Sequence, residues 1–102
     1  MHSILYTKGC EDLKVEAKDI PIIQKFMAEY WKAIKEFYSV ELTDEYSSKV
    51  YDTCTELGEL AGACPDEKDR QFLLDNIRAF HGFLNSKQRG MMKQLKKTYN
   101  KL

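Results

Sequence analysis

Hydrophobic and polar positions recur along this chain with the period of an α-helix, most clearly between Asp19 and Val40. There Ile23, Phe26, Met27, Tyr30, Trp31, Ile34, Phe37 and Tyr38 follow three- and four-residue spacing, the mark of a helix with one buried face. At about 100° per residue these side chains span an arc of roughly 140°. Lys25, Glu29, Lys32, Lys35 and Glu36 fill the opposite arc, where water solvates them. The segment holds the single Trp and five of the twelve aromatic residues, so it is expected to form the centre of the core. Asp19 stands where an N-cap belongs, and Pro21 falls in the first turn, where a missing N–H costs nothing.

A second helix is expected after Thr43-Asp44-Glu45, a capping side chain followed by acids that suit the positive end of the helix dipole. It carries Tyr46, Val50, Tyr51, Cys54, Leu57, Leu60, Ala61 and Cys64, and Pro65 closes it. Gly58 and Gly62 lie one turn apart in it, a spacing that either admits a close helix neighbour or weakens the helix end. Asp66 caps a third helix with Phe72, Leu73, Leu74, Ile77, Phe80, Phe83 and Leu84 on a broad apolar face. Asn85-Ser86 looks like a C-cap followed by an N-cap, which divides this helix from a fourth bearing Met91, Met92, Leu95, Tyr99 and Leu102. The alternative is one long helix from Asp66 to Asn100, bent near residue 85. Residues 1–18 read as an N-terminal arm, either irregular or a short hairpin. The expected fold is thus all-α: a small antiparallel bundle of three to four helices over residues 19–102, in a single domain.

Composition adds a location. The chain has 102 residues, 43% of them hydrophobic and 31% charged, as suits one globular domain with its own core. No run approaches the roughly 18 apolar residues of a membrane span, and the start lacks a signal peptide's charged flank. Cys10, Cys54 and Cys64 are an odd count without a pairing pattern, which reads as free thiols in the cytoplasm. No membrane partner and no cofactor are expected.

Net charge is zero, but the charge is divided along the chain. Residues 41–75 hold ten acids against Lys49, Lys68 and Arg70, a net of −7. Residues 76–102 hold no acid and seven bases, six of them in the final segment: Lys87, Arg89, Lys93, Lys96, Lys97 and Lys101. A basic amphipathic segment of this kind suits nucleic acid or an acidic partner. The simpler expectation is that it lies against the chain's own acidic middle, with Lys93, Lys96 and Lys97 near Glu56, Glu59 or Asp66. Met91, Met92, Leu95 and Tyr99 would then close the core while the lysines stay in water.

Two carboxylates, Glu56 and Glu59, share a helix face in the run Glu56-Leu57-Gly58-Glu59-Leu60-Ala61 and are the candidate metal ligands. This run resembles the metal-binding helix of the MazG-like all-α nucleotide pyrophosphatases, which pairs an E-E-x-x-E helix with an E-x-x-D helix. The resemblance covers about six residues and implies magnesium held against a nucleotide's phosphates. Thr55 stands where the adjacent Glu is expected, and Arg70 where the second helix's Asp is. The same two acids also suit a solvated helix face. No tetrahedral metal spacing joins Cys54, Cys64, His2 and His81; His81 is expected to border the core, away from any Cys–His nucleophile pair. A helix-turn-helix over residues 57–80 is disfavoured by Asp66, Glu67 and Asp69 at the start of its reading helix.

The aromatic content is high for a core of this size, and Tyr and Trp are enriched at interfaces. Met27, Trp31 and Tyr38, one edge of the first helix's stripe, are the candidate contact surface. The sequence therefore points first to protein–protein contact, with a partner or a second copy. A nucleic-acid-associated role for the basic segment comes second, and a degenerate pyrophosphatase-like enzyme third.

Overall fold

A computed structural model describes residues 17–101, and every regular element among them is a helix. Three helices follow in order: α1 (Ile20–Phe37), α2 (Asp44–Gly62) and α3 (Glu67–Lys101). Each packs against the other two. The expectation for an N-terminal arm lies outside the described residues, except for Ala17 and Lys18.

The core is built where the three apolar faces meet. Phe26, Ala33 and Phe37 come from α1, Tyr46, Val50, Leu57 and Ala61 from α2, and Leu73, Phe80 and Leu84 from α3. Cys64, in the connection before α3, joins them. Ala33 lies just beyond the Phe26 edge of the expected arc and is 2% exposed, so the buried face is turned toward that edge. Trp31 and Tyr38, at the stripe's edge, stay 57% and 56% exposed. The organising helix is as expected, but its Trp is outside the core.

Caps explain the helix boundaries. Thr43 Oγ1 accepts from Tyr46 N at 3.1 Å and starts α2. Asp66 Oδ1 accepts from Lys68 N and Asp69 N at 2.8 and 3.1 Å and starts α3. Asp19 occupies the N-cap position of α1 but makes no cap bond there. The residue is buried, 4% exposed, and its Oδ2 accepts instead from Asp66 N at 3.3 Å. This side chain joins the beginnings of α1 and α3, a tertiary role that local sequence cannot show.

The far end of α1 is fastened as well. The last carbonyls of a helix lack partners within it. Tyr46 Oη donates to Phe37 O at 2.6 Å, and Lys87 Nζ donates to Tyr38 O. Gln88 Nε2 donates to Glu41 O at 2.9 Å, tying the α1–α2 connection to α3. Midway, Tyr30 Oη donates to Asn76 O at 3.0 Å while its ring meets Phe80 edge-on.

Two expectations are corrected. No break occurs at Asn85-Ser86, and α3 is continuous for 35 residues. No proline interrupts it, and the Asn85 amide is engaged with His81 Nδ1, one turn back, rather than with a helix end. Gly58 and Gly62 are not points of close approach, because a Cβ on either would meet nothing within 4 Å.

Candidate interaction surface

The length of α3 creates the feature of greatest functional interest. At about 1.5 Å per residue α3 is about 52 Å long and α1 about 27 Å. Lys87 and Gln88 are the last α3 residues bonded to the α1–α2 connection, and residues 89–101 run on past it. The apolar repeat does not stop there. Leu73, Phe80 and Leu84 are buried, while Met91, Met92, Leu95 and Tyr99 are 39%, 59%, 60% and 76% exposed.

Met92, Leu95 and Tyr99 of this projecting stripe form one wall of an open cleft of about 1080 Å³. Leu42, Thr43, Asp44 and Ser47, at the start of α2, form the other. Arg89, Lys93 and Lys96 also border it. The cleft is therefore apolar along its floor and basic at its rim, with one acid, Asp44, at the bundle end.

Of the acidic middle, Asp44 shares the cleft with Arg89, Lys93 and Lys96, but Asp66 lies at the opposite end of α3. A continuous α3 places Lys93 about 40 Å along its axis from Asp66, so Lys93, Lys96 and Lys97 cannot reach Asp66. Among the described residues the ion pairs are Lys32–Glu29, Lys49–Glu45 and Arg78–Asp75, and none uses the final bases. Arg89, Lys93, Lys96, Lys97 and Lys101 are exposed, but Lys87 differs from them. Its ammonium lies 3.3 Å from the Tyr38 ring centroid and 5.1 Å from that of Phe83, and it caps α1.

Of the three α1 candidates, Met27 is half-buried against the core. Trp31 lies under the Lys35 ammonium at 5.6 Å. Tyr38 packs on Phe83 with ring centroids 6.1 Å apart. Phe72 and Phe83, read from sequence as core, are 53% and 45% exposed.

Glu56 and Glu59 lie with Lys25 and Glu29 of α1 on a smaller cleft of about 370 Å³. Among the described residues no group of three or more His, Cys, Asp or Glu side chains is arranged to hold a metal ion. The ammonium of Lys25 on the same cleft also opposes a cation there. Cys54 and Cys64 are free thiols, and burial pushes both thiol pKa values up, the opposite of what a nucleophile needs. His81 is exposed on α3 while Cys64 is buried, so they form no nucleophile pair. His2 and Cys10 lie outside the described residues.

No described helix is long and apolar enough to cross a membrane. Comparison with protein-family models, with curated proteins and with solved structures finds no match to this chain.

Proposed function

We propose that the chain is a small antiparallel three-helix bundle of the cytoplasm that acts through protein–protein contact and self-association, with the projecting end of α3 as its contact surface. One observation carries this reading: the apolar stripe buried through Leu84 continues uncovered over Met91, Met92, Leu95 and Tyr99. A monomer seldom leaves a continuous apolar strip beside an open cleft unless something covers it. The Met pair suits such a surface, because the flexible thioether side chain adapts to irregular partners. The experiment is sedimentation over a range of concentrations for the wild type and Leu95→Glu. The reading expects concentration-dependent association that Leu95→Glu abolishes without loss of helical signal; a wild type that is monomeric throughout refutes it.

A second reading is favoured by a separate observation, the exposed bases of residues 89–101 with no acid among them. These suit a polyanion such as nucleic acid. Retention of single-stranded or duplex nucleic acid that falls steeply with salt, through release of counterions, would support it.

A further inference from the structure

We infer that the cleft beside α3 receives the projecting end of a second copy of this chain, the two ends lying antiparallel about a two-fold axis at Leu95. This deepens the contact reading above and rests on it.

The first argument is that the projecting end is a poor helix alone. From Arg89 to Lys101 it spans about 20 Å, and isolated helices of this length are marginal in water. Its own sequence weakens it further. Gly90 lies in its first turn, and Arg89–Lys93, Lys93–Lys97 and Lys97–Lys101 are like-charged pairs at four-residue spacing with no acid among them. Such a segment gains most from a neighbour that covers its apolar side and brings negative charge to its basic side.

The second argument is that this chain supplies both requirements. Antiparallel pairing about Leu95 sets residues whose numbers sum to 190 opposite one another. Leu95 then meets Leu95, and Met91 meets Tyr99. Lys101 of one copy arrives beside Arg89 of the other, where the bundle end begins and Asp44 borders the cleft. Asp44 is thus the acid that meets the last lysine of the incoming helix, while Glu45 is paired with Lys49. A parallel arrangement would bring Lys101 to Lys101 and leave Asp44 of each copy without an incoming base. Because each copy offers one projecting apolar stripe and one apolar cleft with Asp44 at its bundle end, two copies close on each other and none is left over.

The third argument is size. Met91, Met92, Leu95, Tyr99 and Leu42 are each more than a third exposed, and covering them in both copies removes roughly 1,000 Å² of surface. That is the lower end of specific interfaces, so the pair should be reversible, with a Kd on the order of micromolar.

The test combines sedimentation with cross-linking of the full chain. Leu95→Cys should give a covalent dimer under mild oxidation, whereas Trp31→Cys should not, because only residue 95 lies on the axis. Lys101→Glu should weaken association about threefold at low salt, and adding Asp44→Lys to the same chain should restore it. Leu95→Glu should weaken it at least about tenfold. If the wild type is monomeric at every concentration, both this pairing and the contact reading fall. If a dimer forms and Leu95→Glu dissolves it, but Leu95→Cys does not cross-link and the charge exchange does not restore it, the contact reading stands and the antiparallel pairing is wrong. A monomer that binds nucleic acid through the same lysines likewise overturns the pairing.

Discussion

The part of α3 that ends at Gln88 and the part that follows carry the same helical repeat of apolar residues, yet their surroundings differ completely. In the first part Leu73, Phe80 and Leu84 are buried by α1 and α2, and Tyr30, Tyr46, Lys87 and Gln88 bond the three helices together. In the second part the repeat continues, but α1 and α2 have ended. An apolar face is therefore a demand for a neighbour, and whether it becomes core depends on what the chain places beside it. The difference also explains the charges. The first part faces the acidic α2, and the second carries bases that enter no ion pair among the described residues.

The largest contrast is expected from equivalent truncations in the two parts. Leu73→Ala removes a side chain of 0% exposure and should cost about 2–5 kcal/mol in urea unfolding. Leu95→Ala should cost under about 0.5 kcal/mol when the chain is dilute enough to be a monomer. Similar costs for the two would mean that the projecting end is already covered within one copy.

A smaller effect is expected where the two parts meet. Tyr46→Phe removes the bond to Phe37 O that closes the end of α1, and should cost about 1 kcal/mol. A null result there would show that the end of the bundle is not fastened by this hydroxyl.

Glycine gives the same comparison within one helix. A Cβ at Gly82 or Gly90 meets nothing within 4 Å, so neither Ala substitution is opposed by packing. Gly82→Ala should stabilise the fold by about 0.5–1 kcal/mol, because Ala loses less backbone entropy in a helix. Gly90→Ala should leave the unfolding midpoint of the dilute chain unchanged and raise the helical signal of the projecting end. Equal gains in midpoint would show α3 unfolding as a single unit.

The smallest effect concerns the opposite end of α3. The Asp69 carboxyl titrates above its ordinary value, first because it shares a hydrogen bond with Asp19, then through burial and the nearby charges of Asp66 and Asp19. A pKa raised on folding contributes stability below the unfolded value, and that contribution is lost as pH rises through the folded value. At neutral pH the two carboxylates repel. Asp69→Asn, which keeps an N–H donor toward Asp19 at every pH, should therefore raise the melting temperature at neutral pH and lose its advantage in acid. A difference independent of pH would show that the two side chains do not share a proton.

Much of this fold is legible in the sequence because its causes are local. The repeat from Ile23 to Tyr38, the Thr43 cap and the Asp66 cap each act within one turn of where they are read. What is not legible there has tertiary causes. Trp31 satisfies the apolar spacing, but spacing cannot say how wide a face the neighbours cover. Ala33 is buried for the same reason, since the neighbours cover a face turned toward the Phe26 edge. Asn85-Ser86 has the residues of a helix junction, yet its backbone stays helical because nothing nearby offers an alternative path. Asp19 looks like a cap from its position, whereas its bond to Asp66 joins residues 47 positions apart. The candidate surface is legible in part: Met91, Met92, Leu95 and Tyr99 stand out as a stripe and the lysines as a basic row. Their exposure is not, because it follows from α1 and α2 being shorter than α3.

Hydrogen exchange along α3 as a function of protein concentration tests the claimed difference most directly. In the dilute chain, amides of residues 73–87 should be protected to nearly the global stability, and those of residues 91–101 should exchange close to the rate of an open chain. Raising the concentration through the micromolar range should protect the second group and leave the first unchanged. Protection of residues 91–101 that is the same at every concentration would contradict a projecting end that awaits a second copy.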